Sequence, residues 1–172
     1  MAQTDVDPFI SSWVDHIFQS MQDDVRTGKD VEPELTFLGN HNGGNALIPV
    51  LGMAPLFASK DGKAKVRATV KKIWSNFSGA QPQLTLLAVV MGSDAWYERP
   101  SLEEAEKIEK HGRVGPFPHK DEALIVQVSL ADVEIQYIVP YKREGNEVVF
   151  LDRVATFTED PGNSLLMGLW PL

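Results

Sequence analysis

Leu124-Ile125-Val126-Gln127-Val128-Ser129-Leu130-Ala131-Asp132-Val133-Glu134-Ile135-Gln136-Tyr137-Ile138-Val139 is the stretch that decides the fold. Leu124, Val126, Val128 and Leu130 alternate on even numbers, while Val133, Ile135, Tyr137 and Val139 alternate on odd ones. Successive side chains of a strand point to opposite faces, so each series marks one buried face. A change of parity across two residues is what a two-residue hairpin turn at Ala131-Asp132 produces. Positions 130 and 133 then face each other, and the pairs 128/135, 126/137 and 124/139 share a face. Ala-Asp is not a favoured turn pair, and a β-bulge in one long strand also flips parity. The hairpin is the preferred reading.

Working outward, Pro140 closes that strand, and Glu144-Gly145-Asn146 turns the chain into a further strand, Glu147–Phe157. Val148 to Leu151 is apolar at every position, which predicts a central place in the sheet. Upstream, Leu84–Met91 is an almost unbroken apolar run, the pattern of a strand buried on both faces, and it stops at Gly92-Ser93-Asp94. Between the two lie a short surface helix and a loop. Ser101 and Glu104 form a capping box for that helix, Gly112 ends it, and Gly112–Lys120 carries two glycines and two prolines.

The N-terminal half is read the same way. Asp7 as N-cap, Pro8 in the first turn and Gly28 at the stop bracket a helix whose Ile10, Trp13, Val14, Ile17, Phe18 and Met21 recur at helical spacing. Leu35–Leu38 and Ala46–Leu51 are short strands around Asn40-His41-Asn42-Gly43-Gly44-Asn45, a hairpin turn, and Pro49 predicts an edge position for the second strand. Gly52–Ser59 is a loop. A second long helix covers Asp61–Phe77, with Val66, Val70, Ile73, Trp74 and Phe77 on one face. The order is α-β-β-α-β-α-β-β-β. It predicts an α+β fold, a mainly antiparallel sheet of about six strands with helices packed largely on one face.

At 172 residues the chain fits one domain, 1–172, with residues 1–6 a candidate disordered end and 159–172 an apolar tail. No apolar run approaches the ~20 residues a membrane helix needs. With no cysteine there is no disulfide framework and no thiolate site. Met1–Asp7, with two acids and no basic residue, reads as neither a secretory signal nor a transit peptide, and the cytoplasm is the expected compartment. A net charge of −8 disfavours a sequence-independent nucleic-acid binder. The charge is uneven. Residues 60–72 hold six basic residues against Asp61, a local +5 that leaves −13 elsewhere, and the first 34 residues carry eight acids against Arg26 and Lys29. Lys63, Arg67 and Lys71 form a like-charged row, which predicts an acidic neighbour such as the N-terminal region.

Four histidines, His16, His41, His111 and His119, show neither HxH nor HExxH spacing, so no metal site is expected. There is no GxxxxGK[ST], no GxGxxG after a strand and no GxSxG, so no cofactor is expected either. The turn around His41 is weighed as an anion-binding arrangement of backbone amides against plain turn chemistry, which explains its glycines equally well.

An enzymatic or ligand-binding alternative centres on the end of the buried strand. There Ser93 is a candidate nucleophile, Asp94 and His119 a candidate base pair, and Glu122 a further acid. Trp96, Tyr97 and Arg99 are candidate binding residues beside them. The favoured expectation is a cytoplasmic accessory protein that acts as a protein-interaction module and associates with itself as a homodimer. The charge split between Lys63, Arg67, Lys71 and an acidic body supports it, as do Leu169 and Trp170 in the apolar tail.

Overall fold

Asp7 opens the first helix as its sequence demands: the carboxylate accepts the Phe9 amide at 2.8 Å, and the helix α1 runs Pro8–Thr27 to a left-handed Gly28. The computed structural model describes residues 6–57, 61–98 and 120–158, together with Glu103 and Glu106, which are helical and exposed. After α1 come β1 (Glu34–His41), β2 (Gly44–Val50), a single turn α2 (Ala54–Phe57) and α3 (Gly62–Ala80). Then follow β3 (Leu84–Glu98), β4 (Lys120–Ser129), β5 (Glu134–Glu144), β6 (Glu147–Phe150) and β7 (Val154–Thr158).

The hairpin that decided the fold is present. β4 and β5 pair antiparallel with 128 opposite 135, 126 opposite 137 and 124 opposite 139, and the Leu130 amide donates to the Val133 carbonyl at 2.9 Å. Ala131 and Asp132 keep negative φ, so the turn is not of the primed type that calls for Asn-Gly. The β1–β2 turn is of that type: Asn42 and Gly43 have φ of 54° and 81°, and Asn40 Oδ1 accepts the Gly43 amide at 2.9 Å.

All strand pairs are antiparallel, in the order β2-β1-β3-β4-β5. β6 lies against Tyr141–Glu144 of β5, and β7 against Glu134–Ile138 of the same strand. The expected strand 147–157 is thus two strands, broken at Leu151–Arg153, and it lies at an edge rather than in the centre. Its apolar run is met on one side only: Val148 and Phe150 reach the core while Val149 is 38% exposed. β2 is the opposite edge, as Pro49 predicts.

The helices lie on opposite faces, not on one. Leu38, Ala88, Val90, Leu124, Val126, Val128, Ile135 and Val139 form a core with α1, through Ile10, Val14, Ile17, Phe18 and Met21. Leu35, Phe37, Val89 and Met91, their neighbours in sequence, form a second core with Val66, Val70 and Trp74 of α3. The physical reason is alternation along a strand apolar at every position. β3 adds a phase change: opposite Leu38 and Gly39 stand Ala88 and Leu86, so Leu87 is bulged out of register. Leu84 and Leu86 therefore join the α3 side although Ala88 and Val90 join the α1 side. Among the described residues no helix is long and apolar enough to cross a membrane.

Candidate functional site

β3 does not stop at Gly92. It continues to Glu98, so Ser93 and Asp94 sit within a strand, opposite Ile125 and Leu124 of β4. As consecutive strand residues they point to opposite faces: exposed Asp94 to the α1 side with Leu124, half-buried Ser93 to the α3 side. A shared nucleophile–base site would need both on one face.

Asp94 keeps different company. Trp96, Glu122 and Tyr141 lie in register across β3, β4 and β5, and Arg143 follows two residues on along the same face of β5. Arg143 Nε donates to Glu122 Oε2 at 3.1 Å, and its guanidinium lies 5.7 Å from the centre of the Tyr141 ring. Burial pushes the Tyr141 phenol above its ordinary range, Glu122 and Asp94 add to the rise, and Arg143 opposes it. A phenol held neutral and a guanidinium already paired form a closed electrostatic set. Among the described residues no group of histidines and carboxylates is arranged to hold a metal ion.

Trp96 and Tyr97 are placed by their backbone in β3, opposite Glu122 and Asp121. Lys63 lies in the first turn of α3, Arg67 is half-buried and Lys71 exposed. Arg99, His119, Leu169 and Trp170 lie outside the described residues. The basic row does not face the acidic helix, since α1 and α3 are separated by the sheet. The anion reading of the His41 turn loses a donor, because Asn40 takes the Gly43 amide.

The feature that sequence reading missed is the β6–β7 edge. Among the described residues no strand pairs with its outer side. β7 reads Val-Ala-Thr-Phe-Thr, β-branched or aromatic at four of five positions, with neither charge nor proline. Val154 and Phe157 are each 51% exposed. Natural edge strands are usually blunted by lysine, proline or a covering element, and β2 at the far edge carries Pro49.

The break before β7 is anchored. The Leu151 amide donates to the Pro140 carbonyl at 2.8 Å, and Arg153 pairs with Asp15 at 2.7 Å while lying 4.9 Å over the Phe18 ring. These contacts tie the segment before β7 to β5 and α1. The signal in the sequence was the uncharged run 154–158, hidden by reading it as part of a central strand.

No protein-family model, no curated protein and no solved structure matches this chain.

Proposed function

We propose that this protein is a cytoplasmic protein-interaction module that associates with itself by strand addition along β7. The observation that carries the reading is the pair Val154 and Phe157, each 51% exposed on an uncharged edge strand. An edge offers unpaired amides and carbonyls to any extended segment, and its side chains select the partner. A two-fold axis through Thr156 sets Phe157 opposite Ala155 of a second copy, a large side chain beside a small one. It also brings Val154 opposite Thr158. Five paired residues bury less than the roughly 1,200 Å² of a standard interface, so the dimer is a weak one, with Kd in the micromolar range.

Sedimentation velocity from low to high micromolar concentration tests this. The wild type shifts from monomer towards dimer, whereas Phe157→Lys stays monomeric with an unchanged melting temperature. A wild type that remains monomeric throughout, or a Phe157→Lys variant that dimerises equally well, overturns it.

A further inference from the structure

Where the end of α1, residues 28–33 and the end of β2 meet, the surface falls into an open hollow of about 710 Å³. Asp24, Asp30, Glu32 and Glu34 line it, against Lys29. Among the described residues none of these four carboxylates forms a salt bridge. Asp24 and Glu34 are half-buried. Burial raises the Glu34 carboxyl above its ordinary range, and the charge of Asp24 raises it further against the pull of His16.

Apolar surface adjoins these charges. Leu51, which follows β2 and lines the hollow, is 89% exposed. Leu47, opposite Leu38 and so on the α1 side of β2, is 43% exposed. An exposed leucine alone needs no explanation. Beside carboxylates that lack a counter-ion, it narrows the occupant to one that is cationic and apolar at once. Outside residues 60–72 the chain carries −13, which draws cationic partners towards it and speeds their encounter. Among the described residues no group of carboxylates is arranged to close on a metal ion. A polyamine would neutralise the carboxylates and leave Leu51 in water.

We propose that this surface docks a basic segment of another protein, one in which arginine or lysine flanks a bulky apolar residue. The cationic side chains meet Asp24, Asp30, Glu32 and Glu34, and the apolar one covers Leu51. β2 ends the sheet on the side away from β5 and its two outer partners, so this surface stands apart from the β7 edge and does not depend on self-association.

The test is a heteronuclear NMR titration of the full chain with the end-capped peptide Ala-Arg-Leu-Arg-Ala. Ala-Glu-Leu-Glu-Ala and Ala-Arg-Gly-Arg-Ala serve as probes altered in charge and in apolar bulk. The first peptide is expected to shift the amides of Asp24, Lys29, Glu34, Val50 and Leu51, less so in concentrated salt. The glutamate peptide leaves them in place, and the glycine peptide binds about threefold more weakly or less. Asp30→Asn with Glu32→Gln, both at exposed positions where the fold is not at risk, lowers the affinity about fivefold. Leu51→Ser lowers it about threefold, and Phe157→Lys, on the β7 edge, leaves it unchanged. Equal binding of the arginine and glutamate peptides, full affinity for the glycine peptide, shifts centred elsewhere, or full affinity in the Asp30→Asn, Glu32→Gln variant overturns the proposal.

Discussion

Gly92 lies where Ile17 and Met21 of α1 press closely on β3. A Cβ at this position would lie 2.6 Å from Ile17 Cγ2, closer than carbon atoms can stand, so only glycine lets the helix seat here. Gly92→Ala is expected to cost about 1–3 kcal/mol in urea denaturation, and its cost should shrink when Ile17→Ala removes the opposing methyl. Glu34 stands opposite Gly92 in the β1–β3 register. Burial pushes its carboxyl above the ordinary range near 4.5; His16 opposes the shift and Asp24 adds to it. A raised folded value means the native state holds the proton more tightly. That contribution is fully present below the unfolded value and is lost as pH rises through the folded one. Glu34→Gln should therefore raise the melting temperature at pH 7 and leave it nearly unchanged below about pH 4. Neither effect is legible in the sequence, where Gly92 reads as a strand end. A close approach depends on which helix crosses which strand, and periodicity carries no such information.

At the level of elements, the legible parts were those set by local chemistry. The caps of α1, the edge position of β2 and the register of β4 with β5 all follow from residues within a few positions of one another. β3 and the β6–β7 ribbon do not. A fully apolar run states that both faces are covered or that one is left bare, and only the partner elements decide which. In β3 the answer is two cores joined by the Leu87 bulge, and in β6–β7 it is an edge. The bulge carries a sharp expectation. Deleting Leu87 removes only the unpaired extra residue: Leu86 and Ala88 then stand on successive pairs with Gly39 and Leu38, and Leu84 and Leu86 keep the α3 side. The cost should stay below about 3 kcal/mol, that of one lost leucine side chain. Circular dichroism and denaturant titration should show cooperative folding retained, as they should for an insertion at the exposed Gly145-Asn146 turn. The candidate catalytic group fared differently because Ser93 and Asp94 are neighbours in a strand, and adjacency in sequence there means separation by the thickness of the sheet.

Across the whole molecule the sheet divides the charge as well as the core. The helix with Asp15, Asp23 and Asp24 covers one face, and the helix with Lys65, Lys71 and Lys72 covers the other. Charge segregation was legible in the composition, but the expectation that the two segments neutralise each other assumed helices on a common face. Because α1 is remote, replacing Lys71 should relieve repulsion with Arg67 one turn away: Lys71→Glu is expected to gain about 0.3–0.5 kcal/mol in dilute buffer and nothing in concentrated salt. The division also has a consequence for motion. β1 and β3 contribute side chains to both cores, so neither helix layer can come off without exposing apolar surface on the strands that support the other layer. Amide hydrogens in the middle of β1 and β3 should then exchange with solvent only through global unfolding, and at a common rate. Those of β2 and β7, each held by a single neighbour, should exchange first through local opening. The strand proposed to recruit a second copy thus belongs to the least protected part of the sheet, and dimer formation should be visible as a selective slowing of exchange along Val154–Thr158.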